Sequence, residues 1–197
     1  MKMTSFIILL VLVLSPVANA KPNFEADGPA PGNMRFSWIH GSLSAKDNKD
    51  VRVQVHRYNE HTYILRQNPA IHWEAPFMYL IFGEKQVALL DTGATAEPEY
   101  FPLRETVDAL IGRWSKANGT DDLPLIVLPL GSELSQTDGL GQFIDRPNTT
   151  IIAATPEARK KLLGKNNNTT SELGGRTLTL LGTPGHTDPA IPRYAPR

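Results

Sequence analysis

The sequence predicts an α/β (α+β) fold with a layered sheet core, on three observations. Residues 51–55, Val-Arg-Val-Gln-Val, alternate apolar and polar, the period of a half-buried strand. Two apolar runs, 77–82 and 86–90, flank Gly83-Glu84-Lys85, a spacing that makes a tight hairpin. Leu103, Val107, Leu110, Ile111 and Trp114 then share one stripe of a helix over 102–116, followed by a short apolar strand at 125–128.

The other elements follow in order. Residues 1–20 carry Lys2, an unbroken apolar run from Phe6 to Leu14, Pro16, and Ala18-Asn19-Ala20. That is the layout of a secretory signal peptide cleaved after Ala20. The run is too short to cross a bilayer, which takes about 20 helical residues. Residues 21–50 are rich in Pro, Gly, Asn and Asp and read as an irregular arm, docked through Phe36, Trp38 and Ile39. Residues 51–197 are expected to form the domain. Residues 62–65 pair with the first strand across a turn at 58–61. The run at 86–90 is apolar almost throughout, so it is a central strand covered on both faces. Asn118-Gly119 ends the long helix. A strand at 149–153 precedes Thr155-Pro156, an N-cap followed by proline at the first helical position. Gly164 stops that helix. Residues 165–170, with three consecutive asparagines, read as a solvated loop, and 172–181 as a hairpin turning at Gly174-Gly175.

Composition removes several function classes. Lys+Arg and Asp+Glu are equal at 20 each, so no basic surface for nucleic acid is expected. With 41% hydrophobic and 20% charged residues, the chain is not disordered as a whole. The absence of cysteine excludes disulfides, thiolate zinc sites and a cysteine nucleophile. Paired with a signal peptide, it points to a secreted or periplasmic protein of a bacterial envelope, free of the membrane once cleaved. There is no Gly-x-Ser-x-Gly elbow, phosphate loop or dinucleotide fingerprint.

Two local motifs remain. Leu89-Leu90-Asp91-Thr92-Gly93 sets a carboxylate at the end of a buried strand, where α/β proteins form ligand sites. Asp91 serves there as a site residue or as an acceptor of turn amides. Thr183-Pro184-Gly185-His186-Thr187 presents His186 at the tip of a tight turn, as a metal ligand or as an ordinary hydrogen-bonded imidazole. The remaining histidines, His40, His56, His61 and His72, read as surface or hydrogen-bonded side chains.

Taken together, the hairpin before Asp91-Thr92-Gly93, the helix after it, and the hairpin leading to Thr183-Pro184-Gly185-His186 resemble the metallo-β-lactamase fold superfamily. The likeness covers about residues 51–194. It implies an αββα sandwich, a hydrolase activity and a zinc site. In that superfamily the strand matching 125–128 leads into a His-x-His-x-Asp-His loop. Here Gly131, Glu133, Ser135 and Gln136 stand at those four positions. Glu133 is the one serious donor among them, with Asp138 two residues further on. His186 stands where the superfamily has its third histidine. The resemblance places the remaining aspartate and histidine ligands, and their strands, beyond Arg197, so the sandwich is expected to lack its C-terminal part. The metal set is therefore at most a vestigial Glu133, Asp138 and His186, with Asp91, Thr92, Gly93 and Gly185 at the rim. A catalytic zinc needs about three protein ligands and an open position for water, so the chain is expected to bind no zinc and to have no catalytic residue. The alternatives are a non-catalytic secreted binding module, using its own pocket or completed by a partner chain, and an active hydrolase with an atypical metal set. The substrate is not legible.

Overall fold

A computed structural model describes residues 32–42, 45–182 and 193–194. Among the described residues, nine strands form two sheets. The first is six-stranded, in the order β1 (Val53–Asn59), β2 (Thr62–Gln67), β3 (Phe77–Phe82), β4 (Val87–Leu90), β5 (Leu125–Leu128), β6 (Thr149–Ile151). The hairpin-linked strands β1 to β4 are antiparallel, and β5 and β6 add in parallel. The second sheet holds β7 (Asn168–Glu172), β8 (Thr177–Leu181) and β9 (Arg193–Tyr194), all antiparallel. The layered α/β architecture expected from the pattern is the one found.

Strand alternation divides the core in two. Leu65, Met78, Leu80, Phe82, Val87 and Leu89 face α1 (Leu103–Asn118), whose Leu103, Val107, Leu110, Ile111 and Trp114 form the expected stripe. Ile81, Ala88, Leu90 and Leu128 face the other way, onto Leu173, Leu178 and Leu180 of the second sheet and Leu163 of α3 (Pro156–Leu163). Strand β4 contributes to both cores and is buried at every position, as its apolar run requires.

The helix boundaries follow their capping residues. Gly119 closes α1 at φ +63°, its N–H donating to Ser115 O. Thr155 Oγ1 accepts the Ala158 N–H at 3.1 Å, with Pro156 at the first helical position. Three expectations are corrected. β1 and β2 run further than their alternation suggested, tightening the turn between them. Residues 168–170, expected in a solvated loop, belong to strand β7, because their backbone pairs with β8. Residues 152 and 153 lie beyond the end of β6.

The two sheets are tied at their turns. The N–H groups of Lys85 and Gln86 donate to Leu173 O, and Glu84 N–H donates to Gly174 O. A Cβ on Gly83 would overlap the Leu173 carbonyl, so the close approach requires glycine there. Nearby, Arg176 Nη1 donates to His61 O and to Thr62 Oγ1, each at 3.2 Å. This contact crosses from the β7–β8 turn to the β1–β2 turn and the start of β2.

His61 feels that contact. Burial lowers its pKa from the ordinary 6.5; Arg176 and Arg57 lower it further, while Glu60 opposes them. The unfolded chain therefore takes up this proton at a higher pH than the folded one. The stability involved is fully present above 6.5 and is lost as pH falls from 6.5 through the lower folded value. Urea midpoints measured on either side of 6.5 are expected to fall on the acid side, and His61→Gln to flatten that difference. An unchanged slope in H61Q would remove His61 from the account.

The described part of the arm docks as expected. Phe36 stacks on His56 with centroids 4.1 Å apart, and Trp38 meets Phe77 edge-on at 4.9 Å. Gln54 Oε1 accepts the Ile39 N–H at 2.9 Å, and Arg66 Nη1 donates to Ile39 O at 2.7 Å. His56 is buried, its Nε2 donating to Asn33 O at 2.6 Å.

Candidate functional site

The site is built where β4 and β5 end side by side. After Leu90 the chain turns at Asp91, which adopts φ +62°, a left-handed conformation that aspartate tolerates better than most side chains. Asp91 is 6% exposed. Its N–H donates to Leu128 O at 3.1 Å, and its Oδ1 accepts the Leu130 N–H at 2.7 Å. One aspartate thus couples the exits of the two parallel strands. Of the two roles open to Asp91 in the sequence, this geometry displays amide capture.

Thr92 and Gly93 fix the next layer. The Thr92 N–H and Oγ1–H both donate to Gln136 O, each at 2.9 Å. Gly93 sits at φ +77° against the Phe101 ring, where a Cβ would collide. Gln67, fully buried at the end of β2, accepts the Ala94 N–H at 2.8 Å and donates to Thr95 Oγ1 at 2.7 Å. Gln142 donates to Ala96 O and Phe101 O and accepts the Arg104 N–H, which caps the open first turn of α1. Gln67 and Gln142 escaped the sequence reading. The available signal was Gln67 itself, a polar side chain in the buried phase of an alternating strand.

The loop after β5 carries α2 (Leu134–Thr137) and a 3-10 turn over Asp138–Phe143. Gly131 is buried, and a Cβ built on it would overlap Gln136 Oε1. The Gln136 amide therefore fills the space that a side chain at 131 would enter. Glu133 is exposed at the N-cap of α2, without a side-chain capping bond. Asp138 is half-buried at the start of the 3-10 turn. Among the described residues, no three His, Asp or Glu side chains converge so as to hold a metal ion. Gly185 and His186 lie outside the described residues.

A cleft of about 630 Å³ opens beside this region, between Ala96, Pro102 and the Gly141–Gln142 turn. Its charged lining is Arg104, Glu105, Asp108 and Asp145, away from Asp91.

Comparison with solved structures bears on the two-sheet arrangement. A flavo di-iron protein variant from Thermotoga maritima superposes with a TM-score of 0.50 at 18% identity, over 73% of this chain and 40% of that one. The chain has the metallo-β-lactamase fold. A metallo-β-lactamase from Pseudomonas aeruginosa in its mono-zinc form aligns with a TM-score of 0.49 at 15% identity, over 73% of this chain and 65% of the other. One from Pontibacter korlensis aligns at 0.48 and 17%, over 73% and 66%. The chain thus spans between 40% and 66% of the length of these metallo-β-lactamase-fold proteins. No family model matches the chain. No curated protein matches it either.

Zinc or iron belongs to proteins of this fold, and the residues present can be tested against such an ion. Gly131 offers no donor, and the space above it is taken by the neutral Gln136 amide. Glu133 points from an exposed helix start, and Thr92 is bonded to the Gln136 backbone. Among the described residues of this strand end, the donors present do not fit a catalytic metal.

Proposed function

We propose that this chain is a non-catalytic member of the metallo-β-lactamase fold, exported through its N-terminal signal sequence and acting outside the cytoplasmic membrane without zinc. The observation that carries this reading is that Gly131 brings no donor and the group lying beside it is the neutral Gln136 amide, a poor metal ligand. The replacement of the histidine loop by Gly131, Glu133, Ser135 and Gln136 supports it. Without a metal held by at least three protein groups, nothing brings a water pKa down towards ~7 or polarises a scissile bond.

Elemental analysis tests the reading. Purified chain dialysed against zinc is expected to retain fewer than about 0.1 zinc per molecule, because two scattered donors do not make a site. Chelator is expected to leave its thermal unfolding unchanged. Stoichiometric zinc that is lost in Glu133→Gln or Asp138→Asn would favour the atypical metal set Glu133, Asp138 and His186, and overturn the proposal.

A further inference from the structure

Four arginines of the described chain are drawn into the interior, and their surroundings differ. Arg146 forms an ion pair with Asp108 at 2.6 Å and donates to Pro147 O and Thr149 Oγ1. Arg176 reaches His61 O in the β1–β2 turn and Thr62 Oγ1 at the start of β2, and Arg66 reaches Ile39 O. Arg159 is 1% exposed, and among the described residues it is the most voluminous fully buried side chain and none of its three guanidinium nitrogens has a hydrogen-bond partner.

That arrangement is costly for a free guanidinium. Arginine stays charged inside proteins and presents five N–H donors. Burying such a cation without an acceptor costs several times what a neutral group costs. Arg159 lies one turn before Leu163 on α3, so its stem runs towards the apolar core beneath the second sheet. The surrounding sequence adds positive charge. Lys160, Lys161 and Lys165 are exposed around it, and α3 itself carries a single acid, the exposed Glu157. The local field therefore draws anions to this end of the helix.

We propose that α3 covers an anion site in which the Arg159 guanidinium takes a carboxylate or other small oxyanion through its paired N–H groups. Arg159 is 1% exposed, so the ligand proposed is a small oxyanion. The fork of arginine matches two oxygens at once, whereas lysine would offer one point of charge.

The test is thermal unfolding of the chain as sodium acetate or inorganic phosphate replaces chloride at constant ionic strength. The melting temperature is expected to rise and saturate with either anion, as ligand linkage requires. Arg159→Met is expected to lose the saturating rise. Arg159→Lys is expected to keep it with a midpoint weakened about tenfold. The same response in R159M as in the parent would reduce the effect to general salt action and overturn the site. An unchanged midpoint in R159K overturns it as well, and stands even where R159M does not fold. A flat parent titration would also overturn the proposal.

Discussion

Asp91→Ala is expected to lower the unfolding free energy by about 3 kcal/mol, and Asp91→Asn by about 1 kcal/mol or less. Two costs add in the alanine variant. The Leu130 N–H, bonded at 2.7 Å to a carboxylate that is itself buried, loses its acceptor. A stranded buried amide costs about 1–3 kcal/mol. Alanine must also hold φ +62°, which costs a side chain with a plain Cβ about 1–2 kcal/mol. Asparagine keeps an acceptor oxygen and tolerates the left-handed turn, so it tests the hydrogen bond apart from the charge. Urea unfolding with an unchanged m-value is the measurement. A stabilised D91A would reverse the interpretation: the carboxylate would then be held at a cost to the fold, as binding residues often are.

Phe82→Ala is expected to cost about 3–5 kcal/mol, the range for deleting a buried aromatic ring. Phe82 has no exposed surface. Its ring stacks on Trp114 with centroids 4.9 Å apart and an interplanar angle of 18°, and it meets Tyr63 edge-on at 5.7 Å. The deletion removes the face that joins β3 to α1, and neighbouring rings cannot close the gap without leaving their own contacts. Against a total stability of about 5–15 kcal/mol, such a loss moves the chain close to its unfolding midpoint. The check is the near-ultraviolet circular dichroism of Trp114 together with the melting temperature. Phe82→Leu, which refills most of the volume, is expected to recover more than half of the loss. A variant F82A that melts with the parent would show that the ring contacts carry little of the fold.

The sequence disclosed those parts of the molecule whose periodicity is local. The β3–β4 hairpin, the stripe of α1, and the Thr155–Gly164 limits of α3 are each written in a few consecutive residues. β7 was not legible because its Asn-Thr-Thr-Ser-Glu run is polar on both faces. It lies at the edge of its sheet and is held by backbone pairing to β8, which side-chain pattern does not report. The site divides in the same way. Asp91, Thr92 and Gly93 stood out because they follow the wholly apolar run of β4, which sets a carboxylate at the end of a buried strand. The roles of Gln67 and Gln142 depend on loop carbonyls and amides far away in sequence, and a lone glutamine carries no such address. Gln136 could be named as a replaced position, but its packing over Gly131 comes from the turn of α2.

The order of strands in the first sheet also bears on how the chain reaches this state. Each strand from β1 to β6 pairs with the one made just before it, and no later strand has to wedge between two earlier ones. The growing end therefore always meets a finished template. Its contacts close short loops, which keeps contact order low for a sheet protein. The exception is the step from β4 to β5, which must pass through the whole of α1 before the parallel pair can form. That crossover is the longest loop closure within the sheet, and it is the step where assembly is expected to be slowest.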